Sequence, residues 1–129
     1  MKYLLDTHTV LWFFEDSKQL SEKAAGVIED SDPDNGIVIS VASLWEFTIK
    51  RSLGKLHFDG GVTNLYAMIE TNGWTVLPIA QSHLESLSDL PPIHRDPFDR
   101  LLVATAKSER MSIVTTDRNI PRYGVPCVW

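Results

Sequence analysis

Short runs of apolar residues, without the polar alternation of a half-exposed strand, recur between stretches of helical spacing, and this pattern constrains the fold more than any other feature. Lys2 to Leu5, Ile37 to Ile39, Trp74 to Leu77 and Ser112 to Thr115 read as strands, with Cys127 to Trp129 as a fifth at one edge. Helical spacing fills the intervals: Thr7 to Phe14, Ser21 to Asp30, Ser40 to about Leu53, Val62 to Asn72, Gln81 to Leu90, and a stretch from Asp96 onward. Ser21 and Ser40 suit N-caps, and Gly54 and Gly73 suit the left-handed residue that ends a helix. Ser31 to Gly36 is a dense turn signal. Strands apolar on both faces need cover on both faces, which argues for a mostly parallel sheet of four to five strands between helical layers.

At 129 residues the chain is expected to form one domain over residues 1–129, able to bury a core without staples. The single cysteine, Cys127, excludes an internal disulfide and a cysteine-based zinc site, in keeping with a reducing, cytoplasmic setting. No secretory signal is read at the start, because Asp6 interrupts the first apolar run and Glu15-Asp16 the second. No apolar stretch is long enough to span a membrane. A formal charge of -5 argues against a general nucleic-acid coat protein but not against a nuclease, whose carboxylates carry negative charge of their own.

The stretch from His94 to Ala106 organises the functional reading. Asp96 suits an N-cap and Pro97 the first helical position, and Asp99 then shares a stripe with Leu102, Val103 and Ala106. A carboxylate thus points along an apolar face, unless Asp99 merely closes a capping box on the amide of Asp96. Three further acids stand at comparable places. Asp6 ends the first strand, Asp117 lies just past the fourth, and Glu46 sits on a helix stripe with Ala42, Ile49 and Leu53. Each has an ordinary explanation: a cap for Asp6, a turn for Asp117, a solvent-reaching side chain for Glu46. Together they would crowd the carboxyl end of a parallel sheet, where ligands bind, and would repel one another unless cations intervene. Oxygen donors without cysteine or a paired histidine motif favour Mg²⁺ or Mn²⁺ over zinc. Such an ion can activate water and bind phosphate oxygens, which points to metal-assisted hydrolysis of a phosphodiester.

The motifs LLDTH around Asp6, SLWEFTIKRSLGKL around Glu46, HRDPFDRLLVATA around Asp99 and IVTTDRNI around Asp117 resemble the acidic signature of PIN-domain ribonucleases, above all the VapC-type toxins of bacterial toxin–antitoxin pairs. The resemblance runs from Lys2 to the C-terminus. It implies a three-layer α/β/α sandwich and an endoribonuclease that uses Mg²⁺ or Mn²⁺. It further implies a homodimer and a cognate antitoxin seated in the toxin's groove, with RNA as substrate. By that resemblance Asp6, Glu46, Asp99 and Asp117 are the metal-binding and catalytic residues. Asp117 is the fourth acid, which in this family often acts through water on a second metal or stays unoccupied. Thr7, Thr115 and Thr116 are candidates to orient a carboxylate or a water, and His94 with Arg95 for contact with phosphate. Lys50, Arg51, Lys55, His57, Arg100, Arg118 and Arg122 would hold an RNA backbone if they ring the site.

Val10 to Phe14 is apolar all round, so part of this helix is expected to face a dimer partner or an antitoxin rather than the core. An antitoxin arginine or lysine placed among the four acids would then block metal or substrate. The alternative from another class is a PIN-fold module that has lost catalysis and only binds RNA or a protein. Phosphotransfer folds fit less well. His8 stands where a haloacid-dehalogenase-type phosphatase needs a second Asp, and the paired acids of a receiver domain are missing.

Overall fold

A computed structural model describes residues 1–30 and 36–129. The turn expected over Ser31 to Gly36 therefore lies, apart from Gly36 itself, outside the described residues. The elements run β1 (Lys2–Leu5), α1 (Thr7–Phe14), α2 (Glu22–Glu29), β2 (Gly36–Ser40), α3 (Val41–Ser52), α4 (Gly61–Thr71), β3 (Thr75–Leu77), α5 (Gln81–Ser88), α6 (Pro97–Glu109), β4 (Ser112–Val114), a 3-10 turn (Ile120–Tyr123) and β5 (Cys127–Val128). All strand pairs are parallel, in the order β3-β2-β1-β4-β5.

The continuous apolar strands are explained by two cores, one on each face. Leu5, Ile37, Ile39 and Val114 point to one side, where α1 to α4 cover them with Val10, Leu11, Ala24, Ile28, Leu44, Phe47, Leu65 and Ile69. Their neighbours Leu4, Val38 and Ile113 point to the other, against Leu102, Val103 and Ala106 of α6 and Ile120 of the 3-10 turn. Register keeps these sets together, since Leu4 pairs with both Val38 and Ile113. Helix α5 lies on α6, held by the buried His83 ring, whose Nε2 is 2.8 Å from Glu109. This is the three-layer α/β/α sandwich expected, with the sheet wholly parallel.

Local signals behave as the sequence predicts. Ser21 and Ser40 accept hydrogen bonds from the amides of Ala24 and Ala42, and Gly54 and Gly73 adopt φ of 71° and 72°. The aromatic end of α1 is in part accounted for within the fold. Phe13 and Phe14 are half-buried at the edge of the first core, where Trp74 joins them with ring centroids at 5.3 and 5.0 Å. Trp12 packs on Trp129 and His8. Adjacent aromatics that no single core could absorb are accommodated because chain segments distant in sequence bring aromatics of their own. Exposed large apolar residues lie elsewhere, among them Trp45 (55 %) and Leu53 (64 %) at α3 and Tyr66 (43 %) on α4.

Candidate metal centre

Strand β1 stands between β2 and β4, so the chain leaves it to one side for β2 and returns to the other for β4. At such a switch point the loops beyond the strands' carboxyl ends diverge and leave a crevice. A cleft of about 170 Å³ lies there, lined by Asp6, Thr7, His8, Glu46, Lys50, Asp96, Asp99, Thr116 and Asp117. All four acids singled out by the sequence therefore reach one cavity.

Asp6 is both cap and cleft residue. Its Oδ1 accepts from the amide of Thr9 at 2.9 Å and from the Thr9 hydroxyl at 2.6 Å, while Oδ2 accepts from the Thr115 hydroxyl. Burial nonetheless raises its pKa, against these hydrogen bonds. Glu46, 4 % exposed, accepts from the Thr7 hydroxyl at 2.5 Å and faces the Lys50 ammonium at 2.8 Å. Desolvation works against charge on Lys50, but its hydrogen bond to Glu46 and the charges of Glu46, Asp96 and Asp99 raise its pKa.

Asp99 does not close a capping box. Asp96 is the cap, accepting from the amides of Phe98 and Asp99, and its own amide is taken by Nδ1 of His94 at 3.0 Å. Asp99 turns instead into the cleft, where its Oδ2 lies 3.2 Å from Nε2 of His94. Burial, followed by the charges of Asp96 and Glu46, pushes its pKa up to about 7. Asp117 holds the turn and faces the cleft as well. Its Oδ1 accepts from the amides of Asn119 and Ile120, and its Oδ2 meets Nε2 of His94 at 2.9 Å. Burial would raise its pKa, but the His94 hydrogen bond and the Asn119 amide lower it.

Sequence reasoning missed Thr9 and gave His94 a different task. Thr9 was overlooked although a cap at Asp6 puts it at the third helical position, facing the cap's carboxylate; its hydroxyl oxygen also lies 2.9 Å from the carbonyl of Val114, so one proton is shared between two acceptors. His94 was placed near the site, but its neighbours prove to be carboxylates. Of the basic residues proposed around the cleft, Lys50 alone lines it. Arg51 donates to the carbonyl of Phe58, Arg100 to Pro91 and Tyr123, and Arg122 to Asn119, whereas Arg95, Lys55, His57 and Arg118 are exposed and are not among the lining residues. Thr7 and Thr115 do orient carboxylates.

The arrangement suits a divalent cation. The donors are hard oxygens, and among the described residues Lys50 and His94 are the cationic or N–H side chains that ion-pair with them. At Asp99, burial and then the like charges of Asp96 and Glu46 outweigh the opposing effect of His94. The thiol of Cys127, on β5, registers the same field: burial and then the charges of Asp6 and Asp117 push its pKa up to about 11.

Compared with protein-family models, the chain matches the PIN domain over residues 3–126. A search of curated protein sequences gave no significant match. Among solved structures, it is similar to a chain of VapBC2 from Rickettsia felis bound to a DNA fragment from their promoter, with TM-score 0.74, 15 % identity, and 98 % of this chain and 97 % of that chain covered. VapBC-1 from nontypeable Haemophilus influenzae gives TM-score 0.72 and 15 % identity, covering 98 % and 96 %. A toxin-antitoxin complex from Klebsiella pneumoniae gives 0.59 and 19 %, covering 89 % and 86 %. The family match spans nearly the whole sequence and agrees with the all-parallel sandwich and the acid-lined cleft at its switch point: the chain belongs to the PIN domain family.

Proposed function

We propose that this protein is a Mg²⁺- or Mn²⁺-dependent endoribonuclease of the VapC type, restrained by a cognate antitoxin. The observation that carries the reading is the cleft in which Asp6, Glu46, Asp99 and Asp117 meet at the carboxyl end of the sheet with too little positive charge to balance them. A bound Mg²⁺ or Mn²⁺ would supply a water of lowered pKa and positive charge against the phosphate and the leaving oxygen. The chain's own residues then have separate tasks. Asp6, Glu46 and Asp99 hold the ion, and Asp117 completes the set directly or through water. Thr9 and Thr115 keep both oxygens of Asp6 in place, and Thr7 fixes one oxygen of Glu46. Lys50, whose side chain is 32 % exposed, is positioned to exchange its pairing with Glu46 for a substrate phosphate.

The antitoxin belongs to the same reading. Solved structures similar to this chain include toxin-antitoxin complexes. A guanidinium, planar and fixed in charge, complements a pair of carboxylates lacking a cation. An antitoxin arginine in the cleft would compete with metal. Its apolar residues, and those of a second copy in a homodimer, have exposed surface to cover at Trp45, Leu53 and Tyr66, since Phe13 and Phe14 are already packed on Trp74.

The test is cleavage of a structured RNA pool by purified protein with Mg²⁺ or Mn²⁺, with EDTA, and with Asp6→Asn, Glu46→Gln and Asp99→Asn. Loss of 100-fold or more in rate with each variant and with chelation is expected, from misplacement of the ion and its water. Undiminished cleavage in EDTA would overturn the mechanism, and RNA binding without cleavage under any metal would favour the noncatalytic module.

A further inference from the structure

His94, whose ring meets two of the acids that line the cleft, is held from several sides. Its backbone amide donates to the Tyr123 hydroxyl at 2.7 Å, and its Nδ1 accepts from the Asp96 amide at 3.0 Å. The second contact fixes the tautomer. An Nδ1 that accepts a hydrogen bond carries no hydrogen, so the proton of the neutral ring is on Nε2. That Nε2–H faces Asp117 Oδ2 at 2.9 Å and Asp99 Oδ2 at 3.2 Å.

His94, Asp99 and Asp117 offer ligand atoms within 4.8 Å of one another, which has the outline of a three-residue metal site. The tautomer decides against His94 as one of the ligands. A metal needs the bare lone pair of Nε2, and freeing it requires moving the proton to Nδ1 and expelling the Asp96 amide. As a donor, by contrast, Nε2–H does something no other contact does. Asp117 is fixed through Oδ1 by two backbone amides, but Asp99 is pressed by the like charges of Asp96, Glu46 and Asp6. Nε2 of His94 lies between the two acids, hydrogen-bonded to Asp117 at 2.9 Å and 3.2 Å from Asp99 Oδ2.

We propose that His94 is a positioning residue: its Nε2–H anchors Asp117 by a hydrogen bond and so holds it beside Asp99, such that both carboxylates present oxygens to one cation, and the ring itself is not a ligand. The inference rests on the metal-dependent reading above. Clamp and ion are compatible, because a carboxylate has about four lone-pair sites, and the hydrogen bond takes one of them on Asp117 Oδ2. Partners of this kind orient metal ligands, and removing one weakens metal binding by about 10–100-fold.

Two substitutions separate the two ring nitrogens. His94→Asn keeps an acceptor near the place of Nδ1 for the Asp96 amide but ends short of the carboxylates. His94→Gln loses that acceptor and restores an N–H donor near the place of Nε2. Neither touches the backbone bond to Tyr123. Mn²⁺ titration of the intact metal-free proteins, followed by electron paramagnetic resonance, is the primary readout. Affinity is expected to fall about 10-fold or more for His94→Asn and to recover to within a few-fold of wild type for His94→Gln. Nitrogen-15 NMR of the metal-free wild type should show the proton on Nε2 and a bare Nδ1. Mn²⁺ affinity of His94→Asn equal to or above wild type, a His94→Gln no better than His94→Asn, or a proton on Nδ1 in place of Nε2 would each overturn the clamp while leaving the metal reading intact. A wild-type protein that binds no Mn²⁺ would overturn both.

Discussion

Asp99 concentrates the conflict on which the site is built. Its carboxyl has an ordinary value of 3.8 and is raised to about 7 in the fold. Between those values the folded chain keeps a proton that the unfolded chain has released, so stability of the metal-free protein falls as pH rises from about 4 to about 7 and then levels. Asp6, raised in the same direction, adds to the decline. Asp117 is lowered, and its contribution is lost only on acidification below the usual carboxylate range. Urea denaturation of the chelated protein across pH 5 to 8 should therefore show decreasing midpoints for wild type and a flatter profile for Asp99→Asn. The variant should be the more stable of the two at pH 8, although it loses metal binding. A wild-type protein that gains stability over that interval would contradict the assignment.

Among the elements, α6 couples site and scaffold most directly. Its first turn carries the Asp96 cap and Asp99, its middle buries Leu102, Val103 and Ala106, and its end pairs Glu109 with the buried His83 of α5. The helix closes on Arg110, which has φ of 56° and no glycine to ease the left-handed conformation. A side chain there costs roughly 1–2 kcal/mol, partly offset by the greater freedom glycine has when unfolded. Arg110→Gly should accordingly raise stability by about 0.5–1 kcal/mol in chemical denaturation without altering metal binding. No gain would mean that the Arg110 side chain makes compensating contacts.

For the whole molecule, charge and stability are linked through one cavity. The chain carries a net charge of -5, so any salt relieves some repulsion by screening. A specific ion acts differently, stabilising the folded state by mass action: about 2.7 kcal/mol at a hundred times the dissociation constant. For a chain of 129 residues that is a rise in melting temperature on the order of 10 °C. Millimolar Mn²⁺ should produce such a rise in wild type and not in Asp99→Asn, while KCl of equal ionic strength should move both alike and by less. Equal responses to the two salts would reduce the cleft to a screened acidic patch.

The sequence by itself determined the sheet, its two apolar faces, the helix caps at Ser21, Ser40 and Asp96, and the candidate acids. Strand burial, capping and the position of an acid relative to a strand end are local facts, written within a few residues of one another. It left Asp99 between capping box and cleft, and Thr9 without a stated role. The contacts themselves are local, His94 two positions from Asp96 and Thr9 three from Asp6, but each is held by a distant partner, Asp117 for the His94 ring and the Val114 carbonyl for the Thr9 hydroxyl. Nδ1 of His94 takes the Asp96 amide that Asp99 would have capped, and Asp117, 18 positions beyond Asp99, helps fix where the carboxylate turns. Trp74 likewise gives Phe13 and Phe14 a place inside the fold. A hydrophobic pattern states which face is buried; it does not state which side chain arrives from sixty residues away, since that depends on how the helices pack across the sheet.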